Sequence, residues 1–537
     1  MSNFKNNIII YHIIIDRFAR VRDEGISQAH ESHELSKVGE FWGGDISEII
    51  QKMKDGWFSV LGINTILISP FFEQIHGWVP GAGGQFKHYA YHGYYVLDYT
   101  IMDSRYGSSS ELHDLVSCAH ASGIQVWMDV VLNHPGYPEP QTWRNLGLEG
   151  WHSGWEEATP CDFHRYMNRE SLSLSDWWGP DWVRYGLPGY PSGGQDDYTM
   201  LLHDLPDFKT ESTDYVRLPH FLKGKANTKA VDLPDTTVRG YLIKWLTDWV
   251  RQYGIDGFRC DSAKHVEPEA WLELKQAATQ AKYDWWERQH DKTVASPDFW
   301  MLGEVFGHGI ERSHYFDYGF NSVINFKFKE DYESGMSLDI LYESYAARLL
   351  EHPDMDFVSY ISSHDTHLFD RQKLKEGGTA LMLAPGGVLL LYGDETSRLP
   401  GPIIEEDPAQ ATRSPMNWNS IDAENLALWR KLIRFRARHG AIARGIHLKL
   451  HDSPYVFARV DASGDRIVAA LLADGELALP VGEIFGEGEK VRDAYGGWRG
   501  VVKDNMVRLP AKGVVLLEAD DGVFPDWDAA SEEGIHP

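Results

Sequence analysis

Cysteine is scarce: the 537-residue chain carries three, Cys118, Cys161 and Cys260, at no metal-type spacing. An odd, sparse count argues against a disulfide framework and for a reducing compartment. Positive charge is also short. Lys and Arg total 51 against 79 Asp and Glu, a formal net charge of −28. Such a chain repels phosphate backbones and anionic membrane surfaces, so nucleic acid is not an expected partner. Neutral substrates and hard cations remain compatible. No apolar run reaches the ~18 residues of a membrane span. The N-terminal "IIIYHIII" lacks a small-residue cleavage site and runs into Asp16-Arg17, so it reads as a buried strand and not as a leader. The expected location is the cytoplasm, or outside it if a leader was removed. Repeats and low-complexity blocks are missing too.

What is present is alternation. "NIIIYHIIIDRF", "INTILISPFF" and "IQVWMDVVLNH" read as short apolar strands. Between them, "GGDISEIIQKMKDGWFSVLG" predicts one helix, capped by Asp45 with Glu48 three residues on. "GSSSELHDLVSCAHASG" predicts another, with a Ser108–Glu111 capping box and Gly123 as its stop. The rhythm breaks between 135 and 208, where Gly, Pro, Trp and Asp crowd without a period. It resumes in "PDTTVRGYLIKWLTDWVRQYG" and continues through "GFRCD", "FWMLGEVF", "GFNSVINF", "FVSYISSHD" and "GGVLLLYGDE". Eight strands alternating with helices predict a (β/α)₈ barrel. The expected domains are a barrel in two parts, 1–134 and 209–440, an inserted irregular domain at 135–208, a C-terminal antiparallel β-sandwich at 441–522 and a loose acidic tail at 523–537. In the sandwich, short strands joined by Gly-Asp and Asp-Gly turns are expected.

In such a barrel the C-terminal ends of the strands line the mouth where active sites form. Four segments carry ionisable groups there: Asp129, Asn133 and His134; Arg259 and Asp261, followed by Lys264 and His265; Glu304; and His364 with Asp365. Residues two apart on a strand face the same way, so Arg259 and Asp261 share a side. A guanidinium beside Asp261 favours its ionised, nucleophilic form. Glu304 sits among Leu302, Val305 and Phe306, where desolvation raises a carboxyl pKa and keeps the proton for use as an acid. Two carboxyls pushed in opposite directions form the acid/nucleophile pair of a retaining glycosidase. Asp365 could stabilise the cationic sugar or hold its hydroxyls, and Asp129 could simply hold Arg259.

"DVVLNH", "GFRCDSAKH", "GEVF" and "SSHD", in that order, resemble the four characteristic regions of the α-amylase family of glycoside hydrolases. "LPDF" at 205–208, "YHGYY" at 91–95, "GGD" at 43–45 and "TRSPMNW" extend the resemblance over most of the chain, nearest to bacterial periplasmic-type α-amylases. The resemblance implies Asp261 as nucleophile, Glu304 as general acid then base, and Asp365 as transition-state stabiliser. It implies substrate roles for Arg259, which holds Asp261, and for His134, His364, Tyr94, His92 and Asp129, with Lys264 and His265 on the leaving-group side. It also implies a structural calcium ion held by Asn133, Asp207 and the His265 carbonyl, and no organic cofactor. The expected substrate is an α-1,4-glucan or maltooligosaccharide, cut internally. A glucanotransferase, maltogenic enzyme or α-glucosidase on the same machinery is the alternative, and a non-catalytic glucan-binding relative the remote one. Of Trp143, Trp151, Trp155, Trp177, Trp178 and Trp182 in the insertion, one or two are expected to meet glucan and the rest to form core.

Overall fold

The apolar segments that end in charge fold as the strands of one closed parallel barrel. The computed structural model describes residues 7–20, 37–293 and 295–522. The strands are β1 (Ile9–Ile13), β2 (Thr65–Ile68), β3 (Gln125–Val130), β4 (Gly257–Cys260), β5 (Trp300–Gly303), β6 (Ser322–Asn325), β7 (Asp356–Ser359) and β8 (Gly387–Leu391). They pair in chain order, and β8 closes on β1. Ile10, Leu67, Leu302, Ile324, Val358 and Leu389 fill the interior with the rings of Trp127 and Trp300, stacked with centroids 6.2 Å apart. Gly257 pairs with both tryptophans, and a Cβ there would lie 2.8 Å from Trp127 Nε1 and from the Trp300 carbonyl oxygen. That crowding explains a glycine in the middle of a wall of large side chains.

Outside the barrel run α1 (Ile46–Lys54), α2 (Trp57–Leu61), α3 (Ser109–Ala121), α4 (Val238–Tyr253), α5 (Pro268–Glu287), α6 (Leu338–Glu351), α7 (Leu374–Met382) and α8 (Ala423–Arg438). The Asp45 cap on α1 and the Ser108–Glu111 box on α3 form as expected. The single helix expected over residues 43–62 is two. Gly56 takes φ 81°, which turns the chain so that Trp57 points into the core from α2. Strand β5 is followed only by the short 3₁₀ segment His314–Tyr318. No helix among the described residues is long and apolar enough to cross a membrane.

Between β3 and α4 the chain makes two short helices, Pro140–Leu146 and His220–Gly224, several 3₁₀ turns and one small ladder, Val183–Arg184 against Asp207–Phe208. Trp143, Trp177, Trp178 and Trp182 are buried there, and Trp182 stacks on Trp245 of α4 with centroids 5.8 Å apart and planes 4° off parallel. These four rings build the insertion's core and fasten it to the barrel, leaving Trp151 and Trp155 half-buried.

The C-terminal unit is one six-stranded antiparallel sheet of β9 (Ile446–His451), β10 (Tyr455–Val460), β11 (Arg466–Pro480), β12 (Lys490–Asp493), β13 (Arg499–Val501) and β14 (Met506–Ala519), in the order β9-β10-β11-β14-β12-β13. Alternate residues serve two cores. Phe457, Ile467, Ala469 and Leu516 join the barrel core, while Val456, Val468, Val515 and Leu517 meet Leu479, Val507 and Leu509 in a second one. Both halves of the two long strands reach that second core, so the sheet closes over itself. The turn expected at Asp474-Gly475 is a correction: both residues lie inside β11, paired with Lys512 and Ala511. Positive φ at Leu472 falls at the irregularity between Leu471 and Ala473, and the chain passes Gly475, at φ 84°, without reversing.

The sheet is joined to the barrel by charge as well as by apolar packing. Glu518 accepts hydrogen bonds from Arg438 (2.9 Å), His439 (2.6 Å) and Arg492 (2.8 Å). The other ring nitrogen of His439 lies 2.7 Å from Asp465. Burial opposes charge on His439, but its bonds to Asp465 and Glu518 outweigh burial and raise its pKa. The acidic tail expected at 523–537 lies outside the described residues.

Candidate active site

Register brings the charged groups together. Arg259 on β4 pairs with Asp129 on β3 and with Leu302 on β5. Two residues further along, the ladder carries Asp261 and Glu304 to the mouth, with Asp261 N donating to Val130 O and Glu304 N to Cys260 O. Asp129 and Arg259 therefore sit one layer below Asp261 and Glu304.

Arg259 is the hub. Its Nη1 donates to Asp261 Oδ1 at 2.6 Å and to Asp129 Oδ2 at 2.9 Å. Its Nη2 lies 3.9 Å from Glu304 and 3.7 Å from Asp365. Ser262 ties the two mouth carboxyls: its hydroxyl donates to Asp261 Oδ2 at 2.9 Å and its N–H to Glu304 Oε2 at 2.7 Å. Ser262 adopts φ 49°, a left-handed conformation that costs a non-glycine residue roughly 1–3 kcal/mol and is common at functional sites. That twist turns its N–H toward Glu304.

Burial pushes the Glu304 carboxyl up to about 8; Arg259 works against this, and Asp261 and Asp365 reinforce it. Glu304 thus keeps its proton at neutral pH, the state required of an acid. Asp365 is held by Arg413 Nη2 at 3.0 Å on Oδ1, and His364 Nε2 lies 3.1 Å from Oδ2. The Tyr94 hydroxyl donates to Asp129 at 2.7 Å and lies 3.0 Å from His364 Nε2. Its single proton goes to the carboxylate, so the Tyr94 oxygen accepts from His364 Nε2–H. Burial lowers the pKa of His364 well below the usual histidine range, with Arg413 and Arg259 adding to the effect, and burial brings His134 to about 4. Both rings are therefore neutral hydrogen-bonding groups at pH 7.

The sequence-predicted residues fall into two layers. Asp261, Glu304, Asp365, Tyr94, His134 and His364 are grouped around the mouth. Asp129 is a correction: it is 0% exposed beneath Arg259 and Tyr94, so it supports these residues and has no path to a sugar. Arg259 is buried as well and reaches substrate only through the carboxyls it holds. His92 lies behind Tyr94, stacked on its ring and accepting from its N–H. Four residues were missed: His12, in edge-on contact with His364 (centroids 4.8 Å apart), Ser262, Arg413 and Asp197. Arg413 lies in "TRSPMNW", where a basic residue on a loop gave no sign of its partner. A tight cavity of about 20 Å³ at the carboxyls is lined by His12, Glu304, Tyr360 and Asp365. A wider one of about 800 Å³, lined by Trp42 and Trp418, lies at Arg413.

The residues expected to hold calcium do converge. One terminal atom of the Asn133 amide lies 3.2 Å from Asp207 Oδ1 and 3.0 Å from the His265 carbonyl oxygen. If that atom is nitrogen, it donates to both. If it is oxygen, three hard acceptors face one another, a set that suits calcium. Arg184 takes the other Asp207 oxygen at 3.0 Å. Among the described residues no group of three or more His, Cys, Asp or Glu is placed to hold a metal, so this set rests on one carboxylate, one amide and one carbonyl.

A barrel mouth that gathers a proton-bearing carboxyl and an arginine-held carboxylate has the equipment of a glycoside hydrolase. The family description "Alpha amylase, catalytic domain" matches residues 12–145 and 211–422, skipping most of the insertion. The periplasmic alpha-amylase of Escherichia coli (strain K12) is 40% identical over 470 residues, which cover 82% of this chain and 68% of that protein. The maltogenic alpha-amylase of Bacillus acidopullulyticus is 24% identical over 76% of this chain and 58% of its own length. The crystal structure of alpha-amylase from Geobacillus thermoleovorans, complexed with acarbose, shares the fold with TM-score 0.65 at 19% identity, covering 96% of this chain and 99% of that one. The chain belongs to the α-amylase family and is a glycoside hydrolase of the α-amylase type.

Proposed function

We propose that the enzyme cleaves internal α-1,4-glucosidic bonds of maltooligosaccharides, glycogen or starch by double displacement. The observation that carries this reading is the single Arg259 guanidinium within 4 Å of three mouth carboxyls, one of them protonated. Asp261, held by Arg259 at 2.6 Å, attacks the anomeric carbon. Glu304 gives its proton to the departing glycosidic oxygen, and the leaving chain departs. Water then enters, Glu304 takes a proton from it, and the hydroxide oxygen displaces Asp261 from the sugar. Asp365, braced by Arg413, faces the positive charge that builds on the ring. Neutral His134 and His364 and the face of Tyr94 bind the sugar.

Two inversions give net retention, so proton NMR of a fresh digest shows the α-anomer first; an initial β-anomer overturns the mechanism. Chromatography of products from maltose, maltoheptaose, glycogen and pullulan tests the rest. Mid-chain cuts in maltoheptaose with maltose left intact support the endo-acting reading. Products longer than the substrate support a glucanotransferase.

Asn133, Asp207 and the His265 carbonyl would hold a calcium ion, which would supply positive charge to fix the insertion on the barrel. Calcium a hundredfold above its Kd then stabilises the native state by about 2.7 kcal/mol, raising Tm by about 2 °C in a chain of this length. An unchanged Tm after chelation and re-addition shows that the Asn133 amide alone satisfies these oxygens. The reading of a reducing compartment rests on Cys118, Cys161 and Cys260, all free thiols. The E. coli relative is named as periplasmic. Fractionation of the cells that make the protein decides between the two.

A further inference from the structure

Ser262 gives its N–H to Glu304, and Ala263 N donates to Glu304 O at 2.8 Å, so the residues that follow stand on the side of the acid. That is the side from which the cleaved chain departs. Lys264 and His265 come next, and both are engaged by one residue of the insertion. Asp197 Oδ1 lies 3.4 Å from Lys264 Nζ, and the Asp197 carbonyl oxygen lies 2.7 Å from His265 Nδ1.

The carbonyl can only accept, so His265 carries its proton on Nδ1. Its Nε2 is then an acceptor with no protein partner among the described residues, and it offers a lone pair to a hydroxyl. Lys264 offers N–H groups beyond the one aimed at Asp197. The wall thus pairs a donor with an acceptor, the complement of adjacent sugar hydroxyls. The turn that presents Asp197 is built in advance. Gly194 N donates to Thr199 O at 2.7 Å, Thr199 Oγ1 to Asp196 Oδ2 at 2.8 Å, and Tyr198 N to Asp196 Oδ1 at 3.0 Å. Asp196 shapes the turn, which frees Asp197 to reach across to the barrel. Its side chain is 56% exposed, so it is open to a ligand from solvent.

We propose that Asp197 is a specificity-determining residue, which orients Lys264 and His265 to bind the glucan units beyond the cleaved bond. This deepens the endo-hydrolase reading and rests on it. Two substrates separate the effects: maltoheptaose, whose leaving portion is sugar, and an aryl α-maltotrioside, whose leaving portion is not. For Asp197→Ala, the ratio of kcat/KM on maltoheptaose to that on the aryl substrate falls about tenfold, the scale of one specific contact. Most of the fall comes from a rise in KM for maltoheptaose, and the cutting position along that chain shifts.

Lys264→Met lowers the same ratio, and the double variant falls by less than the product of the two; both variants keep the backbone carbonyl of Asp197 that holds His265. An unchanged ratio and cutting position in Asp197→Ala overturn the proposal, as does full independence of the two variants. Equal loss on both substrates also overturns it, by showing general damage to the site. Failure of the endo-hydrolase reading itself shows earlier and separately, as wild-type enzyme that does not cut maltoheptaose internally.

Discussion

Asp261→Asn lowers kcat on glucan by about 10⁴-fold or more, the loss typical of removing a covalent nucleophile. The amide nitrogen has no lone pair to give, and the amide oxygen is a poor substitute for a carboxylate oxygen. It also turns a neutral group toward Arg259, which keeps Asp129 at 2.9 Å as its remaining strong partner. The fold is expected to survive, because Asp261 lies at the open mouth and contributes little apolar packing. Mass spectrometry of protein quenched during turnover of a slow substrate shows a glycosyl adduct on the wild type and none on the variant. A variant with near-normal turnover removes Asp261 from its role.

Glu304→Gln lowers kcat/KM on glucan by roughly 10²–10⁴-fold, the scale of a positioned proton donor. On α-maltosyl fluoride, whose leaving group needs no proton, the first step loses far less. The pH profile carries the same signature. Wild-type activity on glucan falls as pH rises through about 8, where Glu304 loses the proton that burial holds on it, and the variant lacks that limb. The sign for stability follows. The folded chain binds this proton more tightly than the unfolded chain, whose carboxyl titrates near 4.5. The contribution of Glu304 to stability therefore declines as pH climbs from about 4.5 to about 8. A profile flat through pH 9, or equal losses on glucan and fluoride, takes the acid role away from Glu304.

Much of this site could be read in the chain because barrel geometry turns strand ends into neighbours. Arg259 and Asp261 share a side by strand period alone, and the apolar residues around Glu304 foretold its desolvation. The caps at Asp45 and Ser108 are local chemistry and were equally legible. What stayed hidden depends on contacts between distant loops. Arg413 reaches Asp365 from 48 residues away, and Asp197 reaches His265 from 68. Neither pairing leaves a periodic trace. Asp129 was misjudged for a related reason: strand period fixes the side a residue faces, but its depth in the barrel depends on stagger between strands. The Asp474-Gly475 pair signals a turn wherever chain reversal is the cheapest way to accommodate positive φ; here the long pairing with β14 wins.

The family description ends at residue 422, and α8 begins at Ala423. That coincidence hides a dependency. Arg438, His439 and the barrel-facing end of α8 find their acid, Glu518, at the far end of the polypeptide. A shortened enzyme stopping after this helix would keep the cations and lose the anion, and Lys431 would lose the Tyr495 carbonyl to which it donates at 3.0 Å. The appendage is better regarded as the keystone of the barrel's final segment than as cargo, and any chimera that swaps it must carry Glu518's equivalent along.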